Sequence, residues 1–140
     1  MVPATEVLCF AGVLLFLLGL LNGFVIPVSR SPRLGLSAHL TAVQSGAFLL
    51  GLGLLWPELG IEAAGWGGAL ADAIAGSFYM IWVSLLLAGL FGAGRGLPIA
   101  GEGITTTAAR QATVTVLMSV GSLALVAAMA ALLITWRWQS

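Results

Sequence analysis

Four long apolar runs, almost free of charge, set the limits on what this 140-residue chain can fold into: residues 5–26, 36–56, 68–91 and 108–136. Each is long enough to cross the hydrocarbon core as a helix, which takes roughly 20 residues. In lipid a peptide group finds no water to bond, so a span must satisfy its own backbone. Only 7% of the residues are charged, against about 25% in soluble domains. The expected architecture is therefore all-α: an integral membrane bundle of four transmembrane helices forming one domain over 1–140.

The breaks between runs are marked by Pro27 and Pro32, by Pro57 and Gly60, and by the glycine-rich stretch 92–103 with Pro98. Thr105, Thr106 and Thr107 suit an N-cap before the fourth span. The first run has no basic segment ahead of it and no small-residue cleavage site after it, and reads as a retained helix. Formal net charge is zero, which argues against a nucleic-acid partner. A single cysteine, Cys9, excludes an intrachain disulfide framework and a CxxC motif.

Arg30 and Arg33 lie between spans one and two, and Arg95 and Arg110 at or beside the third connection; Glu6, Glu58, Glu62 and Arg137 fall on the opposite side. The positive-inside rule then predicts cytoplasmic first and third connections and both termini outside a cell (inner) membrane crossed several times. Trp56, Trp66, Trp136 and Trp138 would form an aromatic belt on the outer side. Small residues four apart (Gly19 and Gly23, Ala71 and Ala75, Ala124 and Ala128) suit close helix contacts in lipid.

Polar groups inside a span are costly and few here. His39, the only histidine, shares a face of the second span with Ala42, Val43, Gly46, Leu50 and Gly53. That face is small and apolar, open to a flat hydrophobic ligand beneath the imidazole, or to simple bonding with a neighbouring helix. Asp72 and Tyr79 stand seven apart on the third span with Gly76 between them; a phenol can donate to a developing oxyanion and an acid can orient it. Gln111, Thr115, Ser119 and Ser122 form a stripe on the fourth span that either lines a cavity or bonds helices together. Asn22 and Gln44 have the same two readings. HExxH, Walker and GxSxG motifs are absent, and Gly94, Gly96, Gly101 and Gly103 read as a flexible loop, not as a phosphate cradle placed between strand and helix.

The stretch Ser31-Pro32-Arg33-Leu34-Gly35-Leu36-Ser37-Ala38-His39-Leu40, running on to Gly51-Leu52-Gly53-Leu54-Leu55-Trp56, resembles the hydroxylaminobenzene mutases, small four-span membrane proteins. Leu97-Pro98-Ile99-Ala100-Gly101-Glu102-Gly103, with Gln111 and a last helix ending in Trp-Arg, looks like that family's third connection and final span. The run from Phe10 to Pro27 also fits. A more remote likeness is to styrene oxide isomerase, in which a His of the second span ligates haem b and a Phe-Tyr pair of the third supplies a catalytic Tyr. By that resemblance His39 matches the iron ligand and Phe78-Tyr79 the pair, with the haem held between subunits of a homotrimer. Thr41 and Ser45 stand where the mutases carry Glu and Asn, and Ile81 where they favour Asn.

The resemblance implies a haem-dependent isomerase that rearranges a small aromatic substrate, an arylhydroxylamine, to an ortho-aminophenol. His39 would be the axial ligand, with Ala42, Val43 and Gly46 against the porphyrin. Tyr79 would hold or protonate the migrating oxygen, with Ser45 or Gln44 as secondary contact. An aryl epoxide isomerase would use the same haem. A non-catalytic haem subunit would need a second ligand, such as Met80 or Met118. A proton-coupled small exporter would need a mid-membrane carboxylate in the first span, and no acid occurs between Val7 and Ile26.

Overall fold

Four helices form where the apolar runs lie. A computed structural model describes residues 2–61, 65–97, 99–101 and 103–136, so Glu62, Pro98, Glu102, Arg137 and Trp138 lie outside the described residues. The helices are α1 (Ala4–Gly23), α2 (Pro32–Leu55), α3 (Gly67–Phe91) and α4 (Ala108–Thr135), with no strand among the described residues. At 1.5 Å per residue, their 20, 24, 25 and 28 residues reach about 30–42 Å, enough to cross a bilayer core. All four are apolar enough to do so. The protein is a multi-pass, all-helical membrane protein.

Local chemistry sets the helix ends. α2 begins at Pro32, four residues ahead of its apolar run: Ser31 is extended, its Oγ accepts from the Leu34 N–H at 3.4 Å, and proline takes the first position, where no N–H is needed. α1 stops at Gly23, three residues short of its run, because the chain tightens into a 3-10 turn over Ile26–Val28 around Pro27. Thr107 is the one of the three threonines that caps α4, its Oγ1 accepting from the Arg110 N–H at 3.5 Å.

α1, α2 and α3 pack on one another, while α4 packs chiefly on α3. Residues Ala4, Leu8, Gly12, Leu15, Gly19 and Asn22 form the buried stripe of α1, the three-and-four spacing of a left-handed helix pair. The tightest crossing is Gly12 against Gly46: a methyl on Gly46 would lie 2.6 Å from the Phe16 backbone nitrogen and 2.7 Å from the Gly12 carbonyl oxygen. Of the expected small-residue pairs, Ala71 and Ala75 are buried, but Ala124 is exposed and only Ala128 is covered.

One expectation is corrected. Trp56 is fully buried, with its indole nitrogen unpartnered, so it fills the core instead of joining a belt at the lipid headgroups; Trp66 and Trp136 are exposed. In the glycine-rich connection Gly94 and Gly101 meet backbone to backbone, with no room for a side chain on either. The Ser31 N–H donates to the Gly89 carbonyl at 3.0 Å, joining the start of α2 to the end of α3. Arg30, Arg33, Arg95 and Arg110 consequently share one end of the bundle, and Glu6 and Glu58 the other.

Candidate functional site

His39 sits in the second turn of α2, half-buried against α1. Its Nδ1 lies 2.7 Å from the Gly19 carbonyl oxygen. A carbonyl only accepts, so Nδ1 must carry the proton and donate. In the neutral ring that leaves the lone pair on Nε2, which has no partner among the described residues. An imidazole whose other nitrogen is tied to a carbonyl is the usual arrangement of a metal-ligating histidine. Gly23 lies beside the ring, its absent side chain leaving 3.4 Å to Nδ1.

The face expected to receive a flat ligand is largely used by α1. Ala42 is fully buried, a methyl on Gly19 would touch Ala42 and Val43 at 2.8–3.0 Å, and Gly46 is pressed on the Phe16 backbone. Small residues are needed there because two helix backbones approach each other. Gly46 does line the rim of a shallow apolar groove of about 190 Å³ on the α1–α2 surface, with Gly12, Val13, Phe16, Ala47 and Leu50.

Tyr79 is half-buried on α3, and its hydroxyl donates to the Ala11 carbonyl of α1 at 2.8 Å. Its ring meets Trp82 edge-on, centroids 6.4 Å apart, and the preceding Phe78 packs on Phe48 of α2 at 5.5 Å. His39 and Tyr79 thus both reach the backbone of α1, at carbonyls eight residues, or about 12 Å, apart. Ser45 is buried at 6% exposure, and Gln44 beside it is exposed. Asp72 is exposed, and the Tyr79 phenol is held by Ala11 rather than by that carboxylate.

The polar stripe of α4 divides. Gln111 is buried and its Oε1 accepts from the Arg95 N–H at 3.1 Å, whereas Thr115 and Ser119 are exposed. Met80 abuts Gly121 across the α3–α4 contact. One interaction escapes sequence reasoning, and Asn22 takes the helix-bonding one of its two readings. Ser84, fully buried, donates to the Val114 carbonyl at 3.0 Å and pins α4 to α3. Asn22 donates to the Gly35 carbonyl at 3.4 Å and leaves its own oxygen buried and unpartnered. A serine in an apolar helix carries no sign of which neighbour it will bond.

Among known proteins, the sequence profile described as styrene oxide isomerase matches residues 4–137. Hydroxylaminobenzene mutase HabB of Ectopseudomonas oleovorans is 47% identical over 110 residues, covering 78% of this chain and 66% of HabB. Hydroxylaminobenzene mutase HabA of the same organism is 39% identical over 109 residues, covering 77% of this chain and 80% of HabA. The match thus spans just under two thirds of HabB's length. No solved structure matches the chain.

Proposed function

The chain belongs to the styrene oxide isomerase family, and from that premise we propose that it is a haem-dependent membrane isomerase converting an arylhydroxylamine to an ortho-aminophenol. The names of HabB and HabA support the substrate class. The observation that carries the haem is the hydrogen bond from His39 Nδ1 to Gly19 O, which leaves Nε2 as a free, oriented donor. Among the described residues no group of three His, Cys, Asp or Glu gathers, so a lone His39 suits an iron whose other ligands come from a porphyrin. When bound, haem supplies a Lewis acid able to polarise an N–O oxygen without net redox.

The chain's own groups do the rest. Tyr79 redirects its phenol from Ala11 to the oxygen in transit, holding it or passing it a proton. Trp82, edge-on to the Tyr79 ring, gives that phenol an apolar neighbour and helps keep out water, which would divert a cationic intermediate. Ser45, buried and free of hydrogen bonds, is a secondary contact, and Gln44 serves from a neighbouring surface. The groove beside Gly46 and the exposed Gln44 in mid-helix suit a homotrimer with haem b between subunits, since a polar side chain facing lipid is costly. The arginine-bearing end would face the cytoplasm of a cell (inner) membrane, with both termini outside.

The test is an absorption spectrum of the detergent-purified protein beside His39→Ala, both expressed with haem supply. A Soret band that is lost or shifted in the variant is expected. No band in folded parent protein, even with added haemin, removes the haem and the Lewis-acid chemistry together. The family profile favours a second reading, isomerisation of an aryl epoxide on the same residues; product analysis with hydroxylaminobenzene and styrene oxide separates the two.

A further inference from the structure

At the arginine-bearing end a cavity of about 340 Å³, lined by neither His39 nor Tyr79, opens between the α3–α4 connection and the first turns of α4. Its size falls at the low end of small-molecule sites, roughly 300–1,000 Å³. Arg95, Gly96, Ala108, Gln111, Ala112 and Thr115 line it. Gln111 is 92% buried by its 8% exposure, and its orientation is fixed: the Arg95 N–H needs an acceptor, so Oε1 takes it. The amide nitrogen is therefore left with two N–H groups and no partner among the described residues. It is not an enclosed atom, and the residue lines this cavity.

The cation, the helix start and the hydroxyl that line it can all donate. Arg95 is exposed, and no ion pair to it exists among the described residues. Ala108 opens α4, where the first N–H groups of a helix lack intrahelical acceptors and the helix dipole favours negative charge. Thr115 has no hydrogen bond of its own and can donate. Among the described residues no carboxylate lines the cavity. A buried amide aimed into a cavity of donors asks for an acceptor carrying negative charge.

We propose that this cavity binds a phosphate group, with Gln111 Nε2, the Arg95 guanidinium and the first N–H groups of α4 as donors. Exposed Ala108 and Ala112 form an apolar wall on the lipid-facing side of α4, which fits the phosphodiester of an anionic phospholipid. A free phosphate shares the chemistry without needing that wall. The site stands apart from the isomerase reading and does not depend on haem.

The experiment is thermal melting and native mass spectrometry of the full chain in neutral detergent, titrated with a short-chain phosphatidylglycerol, with the matching phosphatidylcholine and with inorganic phosphate. Phosphatidylglycerol is expected to bind and raise Tm, and Arg95→Gln to weaken it about ten-fold, the loss of one charge-assisted hydrogen bond. Gln111→Leu should weaken it similarly; if that variant misfolds, Arg95→Gln still decides. A response to inorganic phosphate equal to that to the lipid supports the site with a soluble anion as occupant. No response to either, or affinities unchanged in Arg95→Gln, overturns it.

Discussion

Gly46→Ala distinguishes a helix crossing from a cofactor face. The added methyl would sit 2.6 Å from Phe16 N, 2.7 Å from Gly12 O and 2.8 Å from Phe16 Cα. All three are backbone atoms, so no side chain can swing aside. Restoring an ordinary contact near 3.5 Å means parting α1 and α2 by most of an ångström at their closest point. Overpacking of this kind costs about 1–3 kcal/mol, or roughly 3–10 °C in Tm for a chain of this size. Gly76→Ala is the matched control. Nothing lies within 4 Å of its new methyl, and replacing a mid-helix glycine should stabilise by about 0.5–1 kcal/mol. The assay is thermal melting of both variants in one detergent, with the haem spectrum recorded alongside. Equal melting of Gly46→Ala and the parent, with loss only of haem, would refute the crossing and restore Gly46 to the porphyrin face.

Tyr79→Phe should cost about 0.5–1.5 kcal/mol of stability through its bond to Ala11, yet lower turnover by about a hundred-fold or more; retained turnover removes the phenol from the reaction. Asp72→Asn should change both stability and turnover little, since the carboxylate is exposed and does not hold Tyr79; initial rates and melting read this directly. Ser84→Ala should lose about 0.6–1.5 kcal/mol at the α3–α4 contact, seen as faster hydrogen exchange in α4 than in α1.

The bundle was legible because its cause is compositional: a run of 20 or more apolar residues has few alternatives to a spanning helix. Helix ends followed local rules at Ser31 and Thr107 and departed from the hydropathy edges where Pro27 tightened the chain. His39 stood out as the only histidine in an apolar stretch. What lies against it did not, because a glycine face reads the same whether a ligand or another backbone covers it; only the approach of Gly12 and Phe16 separates the two. Trp56 shows a similar ambiguity. Its place at a span's end is shared by belt and core tryptophans, and the side toward which it turns depends on partners distant in sequence.

The Tyr79–Ala11 bond also bears on how freely the phenol can leave. Within α1 the Ala11 carbonyl already serves the amide four residues on, so the phenol occupies its second lone pair. When Tyr79 turns away, no backbone acceptor is stranded in the hydrocarbon, and only the phenol itself must find a new acceptor. The helix acts as a parking place for a proton donor. A substrate oxygen need outbid only a redundant hydrogen bond, so the group can be poised and reversible at once, with α1 undisturbed from one turnover to the next.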